Sequence, residues 1–452
     1  MVFSSSIFLF HFLPIIFLIG FFIKNKYRNY VLILGSLVFY AWGEPVYVLL
    51  MIASIGLNYF FGRMVRKGRA WLVIAVVANL LILGYYKYAD FLIGVVNSIF
   101  GTAIPLRHIP LPIGISFFTF QAMSYVIDVY RGDTEDGSLT DVALYISFFP
   151  QLIAGPIVKY REIAEQIRNR SVTWDGVADG FRRFIYGLGK KVLIANTLGL
   201  CADKVFGYEH PGSAAAWIGA IAYTFQIYYD FSGYSDMAIG LGKMFGFTYP
   251  ENFDYPYLSS SVTEFWRRWH ISLGSWFREY VYIPLGGNRK GTARTYLNLV
   301  IVFFLTGLWH GADLSFILWG LYHGLFSILE RIGLGKALKK HRGIGAVYCF
   351  MIVLFGWVLF RAANTETAIQ YIQAMFTSEQ AVPVYEYLTN RTIFTLIIAV
   401  IGCGIIQKIS PEKILQLWKH SVIEAIFCVI ILILCVASIA SNSYNPFIYF
   451  QF

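Results

Sequence analysis

Apolar runs long enough to cross a bilayer recur from one end of this chain to the other, and that recurrence decides the solvent in which it folds. The first, Ser4 to Ile23, is about 20 residues long, the length a helix needs to span roughly 30 Å of hydrocarbon. Further candidates are Tyr30 to Trp42, Val46 to Phe61, Trp71 to Tyr86, Leu111 to Val129, Val142 to Ile157, Phe181 to Leu200, Ala214 to Tyr229, Tyr296 to Leu308, Leu314 to Leu329, Gly345 to Leu359, Ile393 to Ile406 and Ile423 to Ile439. Several are short and are expected to tilt, re-enter or lie in the interface. The expectation is an all-α, multi-pass integral membrane protein, a single membrane domain over residues 1–452, with roughly 11–14 transmembrane or re-entrant helices.

Composition agrees. Hydrophobic residues make up 57% and charged residues 14%, against about 25% charged in an ordinary soluble domain. The first run is read as a retained span rather than a cleaved signal, because no Lys or Arg precedes Lys24 and the run ends in bulky Phe22 and Ile23. Five cysteines, Cys201, Cys349, Cys403, Cys428 and Cys435, show neither metal spacing nor a framework of bridges. No metal site is expected. Without internal repeats or a Gly-rich phosphate loop, an ATP-driven pump is disfavoured.

The formal net charge of +10 is spread over short loops between spans, as in the cytoplasmic loops of membrane proteins, and this points away from a nucleic-acid partner. Lys24, Lys26 and Arg28 follow the first run, and Arg63, Arg66, Lys67 and Arg69 follow the third. With both loops inside, the N-terminus is outside. Arg331, Lys336, Lys339, Lys340 and Arg342 form another basic loop, as do Lys408, Lys413 and Lys419. The segment from Ala362 to Asn390, with Glu366, Glu379 and Glu386 and no Lys or Arg, is then expected outside, with the uncharged tail from Ser441 to Phe452.

Polar residues gather in the middle. TFQIYYDFSGYSDMAIGLGKMFG, Thr224 to Gly246, sets Gln226, Asp230, Asp236 and Lys243 among aromatics and glycines. Ionisable groups in such a run are costly and face a partner or a water-filled cavity. Gln226 and Asp230, four apart, share a helix face. Two readings follow: polar glue between closely packed helices, the commoner arrangement, or the polar lining of a tunnel. The next stretch, TEFWRRWHISLGSWFREYVYIPLGG, Thr263 to Gly287, reads as one amphipathic helix with Trp266, Trp269, Leu273, Trp276 and Tyr280 on one side and Glu264, Arg267, Arg268, Arg278 and Glu279 on the other. His270 sits at the edge of the aromatic stripe.

FLTGLWHGADLSFILWG, Phe304 to Gly320, then places His310 and Asp313 in apolar, aromatic surroundings. A lone buried histidine is more often a satisfied core residue than a catalyst. Three features shift the balance: Gly307 and Gly311 loosen the helix around Trp309 and His310, Asp313 is a second ionisable group, and His323 follows. On one straight helix, His310 and His323 stand roughly 20 Å apart, so a group assisting His310 must come from elsewhere. His270 is the best candidate. Burial keeps an imidazole neutral, and a neutral imidazole in a dry channel suits a general base for a hydroxyl attacking an acyl thioester. No G-x-S-x-G elbow accompanies it.

These stretches resemble the membrane-bound O-acyltransferases, in the bacterial branch that acetylates alginate and peptidoglycan and D-alanylates teichoic acid. The resemblance runs through MVFSS at the start, AGPIVKYRE (Ala154 to Glu162), QIYYDFSGYSDMAIGLGKMFGF (Gln226 to Phe247), NFDYPYLSSSVTEFWRRWHISLGSWFREYVYIPLGGNR (Asn252 to Arg289), LTGLWHGADLSFILWGLYHG (Leu305 to Gly324) and FGWVLFRA (Phe355 to Ala362). It implies that His310 corresponds to the essential histidine of the family, where a tunnel from the cytoplasm meets a funnel from outside, and that His270 falls at the second active-site position, Asn, Asp or His in relatives. Candidate substrate contacts are Trp309, Gln226, Asp230, Asp236 and Arg267. The donor it implies is acetyl-CoA or an acyl-carrier-protein thioester, used as substrate with no bound cofactor. The acceptor is a hydroxyl presented on an extracytoplasmic O-acetyltransferase or a small membrane protein. The rivals are a transporter or flippase with a polar intramembrane path and a non-catalytic membrane scaffold.

Overall fold

The computed structural model describes residues 1–153, 155–377, 382–405, 421–441 and 444–448. Ala154, Glu379, Lys408, Lys413, Lys419 and half of the tail, named above, lie outside the described residues. Among the described residues every regular element is helical, and the one β-type pairing is an isolated bridge between Phe253 and Trp269. Helices close their backbone hydrogen bonds internally, which hydrocarbon demands. Five helices among the described residues are long and apolar enough to cross a membrane: Tyr47–Lys67, Arg69–Phe100, Thr292–His310, Arg342–Arg361 and Val422–Ser441. Phe8–Phe22 and Asn390–Ile405 are shorter apolar helices.

Other apolar runs became something else. The run at Leu111 to Val129 starts its helix only at Ile115, after Gly114 in the left-handed region, and nearly all of Ile115–Arg131 is buried. A helix apolar all round is a core helix as readily as a span. Val142 to Ile157 breaks into Leu139–Ser147 and Phe149–Leu152, as expected where Pro150 enters the first turn of a new helix. In contrast, Ala214 to Tyr229 extends into one helix, Gly212–Met244, of 33 residues, uninterrupted by Asp230 and Asp236.

Two compact units divide the chain. The first is Met1–Phe184 with Ser235–Pro250. Its core is aromatic: the ring of Phe149 packs against Phe8, Phe12 and Phe39 at 6.2, 5.2 and 5.5 Å. Polar residues tie its helices together. Asn58 and Asn79, buried on neighbouring helices, exchange side-chain amide hydrogen bonds at 3.1 and 2.9 Å, the kind of contact that associates helices where water supplies no hydrophobic drive. Arg183 donates to Asp236 at 2.9 and 3.1 Å, and Lys243 pairs with Asp179 at 2.6 Å.

The second unit is Ile185–Tyr234 with Glu251–Phe452. It is organised around the antiparallel helices Thr292–His310 and Leu314–Leu329, whose backbones nearly touch. A Cβ added to Gly320 would lie 2.2 Å from the carbonyl oxygen of Phe303, and one on Gly307 2.3 Å from that of Phe316. Gly307 therefore serves close helix approach rather than a loosened helix. Because backbone cannot give way as a side chain can, Gly320→Ala is expected to cost about 1–3 kcal/mol, seen as a lower melting midpoint in detergent. Asp313 is the N-cap of the second helix, its Oδ1 accepting from the backbone N–H of Ser315 at 2.8 Å.

Candidate active site

The predicted amphipathic helix from Thr263 is not continuous. It forms Val262–Arg268, stops, and resumes as Ile271–Phe277. Trp269 at the break is extended, and His270 is left-handed with φ 45°, a conformation uncommon for any residue but glycine. Pairing with a distant segment causes this. Asp254 N–H donates to the carbonyl of Arg268, Ile271 N–H donates to that of Asn252, and Phe253 bridges Trp269. Helical periodicity cannot register such a partner.

Each end of the short Val262–Arg268 helix is anchored. Ser261 caps its N-terminus by accepting from Glu264 N–H at 3.0 Å. The Glu330 carboxylate accepts from the N–H groups of Val262 and Thr263 at 2.6 and 2.9 Å and from the Thr263 hydroxyl at 2.6 Å, where a helix N-terminus favours negative charge. At the other end Arg268 reaches Glu264 at 3.0 Å and Asp254 at 3.2 Å.

The result is a His270 ring fixed on both sides. Its Nδ1 is 3.1 Å from Asn252 Oδ1, the ring of Phe231 meets it edge-on at 4.6 Å, and its Nε2 is buried without a hydrogen-bond partner among the described residues. His270 lies outside the five spanning helices, and burial pushes its pKa down to about 3, so the ring is neutral at physiological pH. His270 forms part of the wall of a cavity of about 1060 Å³, with Trp266, Phe303 and Thr306. Seven Arg and Lys side chains line that cavity against three Asp and Glu. Two of the acids are already engaged with Arg268 and the third with backbone N–H groups, so the wall is strongly cationic. Arg267 is exposed, and it lines the cavity as Arg331, Lys336 and Lys339 do.

His310 ends the Thr292–His310 helix and is 5% exposed. It does not line this cavity; Thr306, one turn earlier, does. Its ring packs edge-on against Trp309, Trp319 and Phe360 at 4.9, 5.0 and 5.3 Å. Trp309 also packs on His270, with centroids 6.0 Å apart, so one indole touches both imidazoles. His323, buried against Trp266 and Trp319, is a further member of the aromatic cluster.

The other candidates are dispersed. Asp236 is in the first unit, paired with Arg183. Asp230 is in the second, in a buried ion pair with Lys191 at 2.6 Å, and also accepts from Ile448 N–H at 2.9 Å. Gln226, one turn before Asp230, is buried beside Gly199 with its Oε1 lacking a hydrogen-bond partner among the described residues. Two residues that sequence reading passed over, Asn252 and Glu330, hold the site together. Asn252 opens the NFDYP stretch in irregular chain, where no periodicity marks a side chain as inward; Glu330 sits at the end of an apolar run, where it looks like an ordinary solvated boundary charge. Among the described residues, no three His, Cys, Asp or Glu side chains cluster as a metal site.

A model of the membrane-bound O-acyltransferase family matches residues 111–360, a span that contains both histidines. Over its full length the chain is 42% identical to a probable alginate O-acetylase AlgI of Pseudomonas putida, covering 100% of each. It is 37% identical to a peptidoglycan O-acetyltransferase of Helicobacter pylori over 83% of this chain and 80% of that one. It is 27% identical to a teichoic acid D-alanyltransferase of Bacillus subtilis over 55% and 68% of the respective chains.

Proposed function

The chain belongs to the membrane-bound O-acyltransferase family, as a multi-pass membrane O-acyltransferase, and on that footing we propose that it takes an acetyl group from a cytoplasmic thioester and delivers it across the bacterial plasma membrane to a hydroxyl outside. The observation that carries this reading is the neutral His270 ring on the wall of a large cationic cavity, joined through Trp309 to His310. The donor is acetyl-CoA, or a carrier-protein thioester whose phosphopantetheine carries the same phosphate chemistry. Its phosphates are met by Arg267, Arg331 and Lys339, and its thioester reaches inward to His270. The acceptor hydroxyl belongs to an extracytoplasmic O-acetyltransferase or a small membrane protein that passes the group to a polysaccharide. As the hydroxyl oxygen bonds to the thioester carbon, its proton goes to the histidine pair; as the carbon–sulfur bond breaks, that proton goes to the departing thiolate. Acyl-CoA is too charged to cross lipid, so chemistry within the membrane replaces transport of the donor. Both termini lie outside in this arrangement, supported by the basic loops after the first and third runs. Asp230 and Asp236, each engaged by a cation, act as structural ties.

The cationic wall gives the test. Arg267→Gln combined with Lys339→Gln is expected to raise the KM for acetyl-CoA about tenfold, as two exposed charge contacts of under about 1 kcal/mol each imply, with kcat retained. Added salt should lower the affinity of the wild type more than that of the variant. An unchanged KM for the double variant would remove the donor from this cavity.

A further inference from the structure

We propose that Asn252 is a positioning residue of the transfer: its side-chain oxygen selects the tautomer of His270, a residue that borders the cavity, and leaves the lone pair of its buried Nε2 as the proton acceptor. This rests on the acyl-transfer reading and adds which atom of the ring is used and what selects it.

The selection follows from three contacts at one atom. Asn252 Oδ1 accepts the backbone N–H of Ser272 at 3.2 Å and the Ser272 hydroxyl at 2.8 Å, and lies 3.1 Å from His270 Nδ1. A backbone N–H can only donate, so the atom it meets is the amide oxygen and the orientation of the amide is settled. Facing an oxygen, Nδ1 must carry the proton. In a neutral imidazole the other nitrogen is then the acceptor, and Nε2 is the atom that is buried without a partner among the described residues. Leaving such an atom unsatisfied is costly, on a residue already held at φ 45°. Both costs fall on one residue, the pattern of a site kept for function rather than for stability. Asn252 also accepts Ile271 N–H through its own carbonyl, so backbone and side chain grip His270 from the same residue.

The groups around the ring are few. Phe231 and Trp309 pack on it and Asn252 and Ser272 bond near Nδ1. The ionisable side chains sharing its cavity wall are Asp254, Glu264, Arg267, Arg268 and Arg278 from its own stretch, with Glu330, Arg331, Lys336, Lys339 and Arg342 from the elements that follow; His310 stands behind Trp309. In the reaction the histidine pair takes the proton of the acceptor hydroxyl at Nε2 of His270 as the new carbon–oxygen bond forms, with His310 as the second acid–base group of the pair, and that proton is returned to the thiolate as the carbon–sulfur bond breaks, so both rings end neutral.

The experiment is the pH dependence of kcat for acetyl transfer by the purified full-length protein, wild type against Asn252→Asp and Asn252→Ala. The aspartate keeps the oxygen and the size of the side chain while placing a negative charge beside Nδ1–H, which favours imidazolium. The acidic limb of its profile is expected about 1 pH unit or more above that of the wild type. The alanine variant, with no tautomer selected, is expected to lose about 100-fold in kcat at a KM for acetyl-CoA within about twofold of wild type. A packing role would reduce the yield of folded enzyme without moving the limb. An acidic limb in Asn252→Asp that coincides with the wild type overturns the role of Asn252, while a wild-type protein that transfers no acetyl group fails the broader reading instead.

Discussion

His310→Ala is expected to lower acetyl transfer by about 10²–10⁴-fold, the usual contribution of a positioned acid–base group, while the protein still reaches the membrane and melts cooperatively. The ring is almost fully buried among Trp309, Trp319 and Phe360, so truncation also leaves a hole, and a stability loss of roughly 2–4 kcal/mol accompanies it. Loss of activity in that variant alone would confound chemistry with packing. His310→Gln separates them, because glutamine nearly fills the space and keeps a donor and an acceptor but cannot take up a proton near neutral pH. Both variants are expected to be inactive, and the glutamine variant to melt close to the wild type. Transfer of radiolabelled acetyl from acetyl-CoA, read beside thermal melting in detergent, checks both. A fully active glutamine variant would reduce His310 to a packing residue.

The second large effect is on stability. Lys191 and Asp230 form an ion pair with side chains 1% and 2% exposed. Their remaining polar capacity is filled locally: Lys191 donates to Asn196 Oδ1 at 2.9 Å and to the carbonyl of Pro446, and Asp230 accepts from Ile448 N–H. Removing one partner strands the other charge in a dry interior, at a cost of about 3–5 kcal/mol. Asp230→Leu and Lys191→Met are each expected to lose that much, and the tail residues 444–448 that dock on the pair should become protease-sensitive. The double variant Lys191→Met with Asp230→Leu is expected to recover most of the loss, since two apolar groups of similar volume carry no desolvation cost. Melting midpoints of the four proteins measure the coupling. If Asp230→Leu instead abolished transfer with its melting unchanged, Asp230 would belong to a substrate path and not to the scaffold.

What could be read in the chain follows from how far each signal reaches. Spans such as Thr292–His310 and Arg342–Arg361 are legible because one local quantity, apolar length, determines them. The long helix through Gln226, Asp230 and Asp236 was only half legible: its polar residues were evident, but whether they faced a tunnel or a partner depended on Lys191 and Arg183, tens of residues away. The break at His270 was illegible for the same reason. Heptad-like spacing of Trp266, Trp269 and Trp276 favours a continuous helix, and only pairing with Asn252 to Asp254 overrides it. His310 and His270 stood out by chemistry, since an ionisable ring in apolar sequence is costly. Asn252 did not, because an asparagine in an irregular stretch is ordinary until its oxygen is found facing a histidine.

The most direct measurement uses proteoliposomes with the purified protein, acetyl-CoA labelled in the acetyl group on the cytoplasmic side, and the acceptor hydroxyl on the other. The expected result is label on the acceptor, free CoA remaining on the donor side, and neither product with His270→Ala or His310→Gln. Intact acetyl-CoA crossing the membrane, or full labelling of the acceptor by both histidine variants, would contradict transfer within the membrane.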